Sequence, residues 1–96
     1  MTYKIILTDQ ARSDLSEIFA WIARENSERG ENFVGEFLDK IRSLKAMPER
    51  CPLALEAAYH PHELRHLVYR SYRIVFALSK KRVVILRIVH GSRIHQ

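Results

Sequence analysis

Little in this sequence can staple it, and nothing in it is long enough to span a bilayer. Its one cysteine, Cys51, cannot form an internal disulfide, which fits a reducing cytoplasm. No activating group stands beside that cysteine in sequence, so it reads as a structural thiol. The three glycines are scattered and form no phosphate-cradling loop, which leaves nucleotide binding unsupported. The three prolines all fall between residues 48 and 61, confining chain-breaking to one stretch. No apolar run approaches the roughly 20 residues a membrane helix needs. The opening Met1-Thr2-Tyr3-Lys4 leads into polar chain, so no signal peptide is expected. No cofactor is expected, and His60 with His62 lack the third Cys, Asp or Glu that would make a metal site.

The most informative absence is that of acid. From Leu64 to Gln96 there is no carboxylate, while Arg65, Arg70, Arg73, Lys80, Lys81, Arg82, Arg87 and Arg93 give a balance of +8. Residues 1–63 hold eight Lys/Arg against eleven Asp/Glu, a balance of −3. Internal pairing can neutralise the basic segment only in part. The remainder is a field that attracts an anionic partner.

Ninety-six residues with 47% apolar content read as one folded domain. Tyr3 to Leu7 is short and β-prone, and Thr8 or Asp9 can cap the helix that follows. Ala11, Leu15, Ile18, Phe19 and Ile22 recur at helical spacing, with Trp21 on the flank of that stripe. This helix should end near Asn26. Phe33, Phe37, Ile41 and Leu44 form a second stripe, widened by Val34 and Leu38. The short connection between the two predicts an αα-hairpin. Pro48 and Pro52 stop the second helix, and an irregular stretch runs to residue 62.

Three strands close the chain: Leu64–Tyr69, Tyr72–Leu78 and Val83–Val89. The order β-α-α-β-β-β predicts an α+β fold, with the helical hairpin on one face of a sheet and the other face partly open. A two-residue turn at Lys80-Lys81 would pair Ser79 with Arg82, Ile74 with Arg87 and Arg73 with Ile88. The side taken by Arg87 depends on that register. An arginine inside so apolar a run needs a partner, and Asp14 or Glu17 is the expected one. Lys80-Lys81-Arg82 reads as a solvated turn that discourages edge pairing.

Several segments together resemble the RelE/ParE toxin superfamily of bacterial type II toxin–antitoxin modules. These are Ala11-x-x-Asp14-Leu15-x-x-Ile18, Met47-Pro48, Glu63-Leu64-Arg65-x-Leu67, Tyr72-Arg73-Ile74-Val75-Phe76 and Ile85-Leu86-Arg87-Ile88-Val89-His90. The resemblance implies a toxin held in a hetero-oligomer by a cognate antitoxin with an acidic segment. It also implies one of two targets: DNA gyrase for ParE-like members, or ribosome-bound mRNA for RelE-like endoribonucleases.

The run ending in Arg87-Ile88-Val89-His90 and the long hairpin carrying Trp21 are ParE-like, which favours a non-enzymatic gyrase inhibitor. In a RelE-like enzyme the candidate catalytic residues would be Arg65, Arg73, His90 and Arg93, acting without a metal. Against that alternative, no tyrosine follows Arg93, and the loop offers His60 and His62 in place of a lysine pair. Under the favoured reading Trp21, Arg65, Arg73 and Arg93 are partner-binding candidates. Three of the candidates have a plainer role open to them: Arg65 can pair with Glu63 or Glu56, Arg73 can lie on an open sheet face, and His90 can bond to backbone at a strand end.

Overall fold

The computed structural model describes residues 2–59 and 62–91. Its elements run β1 (Lys4–Leu7), α1 (Asp9–Ala23), α2 (Ser27–Arg42), β2 (Leu64–Tyr69), β3 (Tyr72–Ser79) and β4 (Arg82–His90). The β-α-α-β-β-β order is the expected one. The strands form one sheet in the order β1-β4-β3-β2, with β1 parallel to β4 and the other pairs antiparallel.

Local chemistry sets the helix starts. The Thr8 hydroxyl accepts from the Ala11 amide at 3.1 Å, and the Asn26 side chain accepts from the Arg29 amide at 3.0 Å. α1 stops at Ala23, slightly before the expected Asn26, which instead caps α2. Short 3₁₀ turns at Ser43–Lys45, Pro48–Arg50 and Leu55–Tyr59 carry the chain to the sheet.

Ala11, Leu15 and Ile18 of α1 and Phe37 and Ile41 of α2 pack on Ile74, Phe76, Val83, Ile85 and Ile88. Burying each large apolar side chain contributes on the order of 1.5–3 kcal/mol, so this layer dominates stability. Phe19 lies at the stripe's margin, 37% exposed.

The second sheet face is partly open as expected, covered at its middle where Ala54 packs against Leu64, Val75 and Ala77. The Ala54 amide donates to the Leu64 carbonyl, and the His66 amide to the Pro52 carbonyl. The β3–β4 register departs from the expected one. Ser79 pairs with Arg82 as expected, but Ile74 pairs with Ile88, Arg73 with Val89 and Val75 with Arg87. A bulge is the cause: between Ile85 and Arg87 strand β4 spends one residue more than β3 spends between Phe76 and Val75. The extra residue lets Ile85 and Ile88, three apart, both enter the core.

The sheet edges are covered unequally. β1 pairs with β4 only from Arg82 to Ile85, and the 52–54 segment lines β2 only at Leu64 to His66. Because β3 is antiparallel to both neighbours, the two half-edges without a strand partner lie at the same end of the sheet, beside Tyr72; that of β4 is bordered by α1, and that of β2 is open.

Candidate functional site

That end is where most candidate residues meet. An open groove between α1 and the last residues of β4 is lined by Asp14, Trp21, Glu56, Arg73, Arg87 and His90. α1 runs alongside β4 because three polar contacts hold it there. The Thr8 hydroxyl donates toward the Ile85 and Leu86 carbonyls, and the Asp14 carboxylate accepts from the Ile88 amide at 2.8 Å. Asp14 also takes the Arg87 Nε at 2.9 Å, the pairing expected from sequence. The hydrogen bond to Asp14 raises the Arg87 pKa above its usual value. Helix placement thus turns Trp21 outward at the groove's rim, 68% exposed, with the Arg24 guanidinium 5.3 Å from its ring centre.

Arg73 lies between this groove and a second one, lined by Leu53, Leu55, His66, Val68, Tyr72 and His90. It is buried, only 3% exposed, not laid on an open face. Its guanidinium donates to Glu56 at 2.5 and 3.3 Å. Its Nη1 also lies 2.8 Å from His66 Nδ1. A guanidinium has only donors, so Nδ1 accepts and the imidazole proton sits on Nε2. Burial, and then the Arg73 charge, lower the His66 pKa; the hydrogen bond from Arg73 lowers that of Glu56. The Arg73 Nε is buried without a hydrogen-bond partner among the described residues.

Arg65 belongs elsewhere. β2 residues alternate between faces, which places Arg65 opposite to His66 and Val68, the neighbours of Arg73. Its guanidinium pairs with Glu63 at 2.7 Å and donates to the Glu49 and Cys51 carbonyls. His90 sits opposite Tyr72, whose ring meets the imidazole edge-on at 5.2 Å. Arg93 and His60 lie outside the described residues. The structure therefore brings Trp21, Arg73 and His90 to one end and leaves Arg65 apart.

Two groups at the site are absent from the sequence reading: His66 and, as a partner of Arg73, Glu56. His66 shares a face with Arg73 because Val68 is the direct partner of Arg73 and His66 is two residues along. Seeing this from sequence needed the β2–β3 register. Four of the eight cations after residue 63 prove to be paired with carboxylates from before residue 64: Arg65–Glu63, Arg70–Glu36, Arg73–Glu56 and Arg87–Asp14. Among the described residues no helix is long and apolar enough to cross a membrane.

Comparison with known proteins bears on what this site serves. The family model described as the ParE toxin of the type II toxin–antitoxin system matches residues 5–95. The fold is similar to that of the chromosomal ParDE system of P. aeruginosa, with a TM-score of 0.75 and 18% identity over 93% of this chain and 96% of that one. It is also similar to the RelBE2 toxin–antitoxin complex of Mycobacterium tuberculosis, with a TM-score of 0.68 and 22% identity over 94% and 92% of the two chains. No curated protein sequence matches.

Proposed function

The chain belongs to the ParE toxin family of type II toxin–antitoxin systems, and on that premise we propose that it is a cytoplasmic toxin that inhibits DNA gyrase and is silenced by a cognate antitoxin. The observation that carries the reading, beyond family membership, is the state of the arginines. Cleaving RNA by attack of its own 2′-hydroxyl needs a free cation at the phosphate and an acid and base in line with it. Here Arg73, Arg65 and Arg87 are each already held by a carboxylate. A protein inhibitor needs no such constellation. It needs contact surface, which the Trp21 groove supplies in the form of an exposed indole, apolar strand residues and mixed charge.

The antitoxin is proposed to enter at the same end. There the end of β2 has no strand beside it, and an extended segment added to it would lie against exposed Val68, with Trp21 at the neighbouring groove. Gyrase supercoiling of relaxed plasmid tests the whole reading. Purified toxin is expected to inhibit supercoiling and to trap cleaved DNA, and stoichiometric antitoxin to restore activity. Full supercoiling with no cleaved complex at excess toxin refutes it.

One observation favours a second reading, a ribosome-dependent mRNA endoribonuclease. His66 and His90 line one groove beside Arg73, and if Arg73 were drawn off to a phosphate the freed Nδ1 of His66 would be a competent general base. Under this reading Glu56 would have to leave Arg73 for the phosphate to bind. Cleavage of mRNA on translating ribosomes, abolished by His66→Ala, would replace the gyrase reading.

A further inference from the structure

Residues 52–59 cross the second face of the sheet as a strap with few anchors. Pro52 to Ala54 runs along β2 and is tied to it by two backbone bonds. The Ala54 amide donates to the Leu64 carbonyl at 2.8 Å, and the His66 amide to the Pro52 carbonyl at 3.1 Å. The 3₁₀ turn that starts at Leu55 then reaches across to β3, where Glu56 holds Arg73. Ala54 is buried and Ala57 partly so, while Leu53, Leu55, Glu56 and Ala58 are exposed. Two alanine methyl groups bury little apolar area, so lifting the strap costs far less than unfolding the sheet beneath it. Its one charged tie is the Glu56 carboxylate.

What this strap covers is the one buried charged residue among those described. Arg73 lines both the Trp21 groove and the Leu53–Val68 groove. Glu56 lines the first of these, and Leu53 and Leu55 the second, so the strap is the partition between them. Lifting it joins the two into one trough, from Trp21 on α1 to Val68 at the open end of β2. It also leaves the Arg73 guanidinium without its carboxylate, which is costly unless another oxyanion meets it. The Glu56 side chain is 46% exposed, so its place can be reached from solvent.

We propose that the strap is a latch closed by an internal carboxylate, and that a carboxylate on the antitoxin opens it by taking the place of Glu56 on Arg73. This rests on the antitoxin half of the function proposed above and narrows it to one residue. The trough suits a peptide better than a nucleic acid. Asp14 and Glu17 line its Trp21 side and repel a run of phosphates, whereas a single carboxylate can settle on Arg73. Leu53, Leu55 and Val68 are each more than half exposed, and a peptide carries the apolar side chains that cover them. Nη1 and Nη2 of Arg73 each already reach one oxygen of Glu56, so an incoming carboxylate needs no new geometry. Replacing one carboxylate by another changes little in energy, and the drive comes from covering the apolar side chains.

Amide hydrogen exchange of the free toxin tests the latch by itself. In Glu56→Gln the Ala54 and His66 amides are expected to exchange at least about tenfold faster than in the parent, with far smaller change at Ile74 and Phe76 in the sheet centre. No difference, or equal acceleration at all four amides, overturns the latch. Binding kinetics with the antitoxin test the replacement, because the two roles of Glu56 predict opposite signs. Loss of a merely structural tie weakens binding, whereas loss of a competitor strengthens it. Glu56→Gln is expected to bind antitoxin at least about threefold more tightly, mainly through faster association. Arg73→Lys, which keeps the charge and loses the fork, is expected to bind more weakly than the parent. Weaker binding by Glu56→Gln, parental binding by Arg73→Lys, or an oligoribonucleotide that binds Glu56→Gln more tightly than the antitoxin does would each overturn the proposal. Antitoxin that fails to bind the parent refutes the function proposed above, and the exchange measurement still decides the latch.

Discussion

Asp14 serves two partners with one carboxylate, and their consequences differ. Losing Arg87 leaves a half-buried carboxylate that still accepts from the Ile88 amide. Losing Asp14 strands both a guanidinium and a backbone N–H next to the β4 bulge. Asp14→Ala is expected to cost about 2 kcal/mol and Arg87→Ala about 1, because an unsatisfied donor near the core is costlier than a lost exposed charge. Urea unfolding of the two variants checks the order, and equal costs would mean that the amide contact contributes nothing. The Arg87 pairing was legible in the sequence, since an arginine amid Ile, Leu and Val must find a carboxylate and α1 offered one. The bonds from Arg73 to Glu56 and His66 were not. Glu56 comes from an irregular segment with no periodicity to place it, and His66 joins only through a cross-strand diagonal.

At the level of elements, the β3–β4 turn carries a conformational cost that its sequence does not advertise. Lys80 and Lys81 both have left-handed backbone, with φ of 43° and 65°. The tight two-residue hairpin requires this, and it disfavours any residue with a Cβ by roughly 1–2 kcal/mol. Lys81→Gly is therefore expected to raise stability by about 1 kcal/mol net of the glycine's greater unfolded-state freedom, seen as a higher urea midpoint at unchanged slope. The turn's position and the strand limits on either side were readable from Ser79 and Arg82. The register beyond the turn was not. Val83 to Val89 is nearly all apolar, so no alternation marks where Leu86 steps out of the ladder. Only the core's demand for both Ile85 and Ile88 reveals the bulge. The cover on the second face was hidden for a related reason: Ala54 and Ala57 are too small and too few to announce a packing surface.

Across the whole molecule, the early acidic part and the late basic part are bound to each other, and this makes stability depend on pH. Burial and the Arg73 charge hold His66 below its ordinary 6.5. Glu36, Glu49 and Glu56 are held below 4.5, chiefly by hydrogen bonds from Tyr69, Tyr3 and Arg73. All four shifts are downward, so in each case the unfolded chain takes up the proton more readily. The stability these four groups contribute is thus complete above about pH 6.5, declines as His66 is pressed to protonate, and declines again below about 4.5 as the carboxylates lose their charge. Urea midpoints at pH 7.5, 5.5 and 3.5 should fall in that sequence, and His66→Gln should remove the first step. A midpoint that rises between pH 7.5 and 5.5 would contradict the arrangement.

The two half-covered sheet edges have a bearing on solubility. Strand edges left without a neighbour recruit strands from other chains, and here the open end of β2 carries exposed Val68. Two molecules meeting at that end can join their sheets β2 to β2. A partner that covers it would therefore also act as a chaperone, keeping the edge from pairing with other copies.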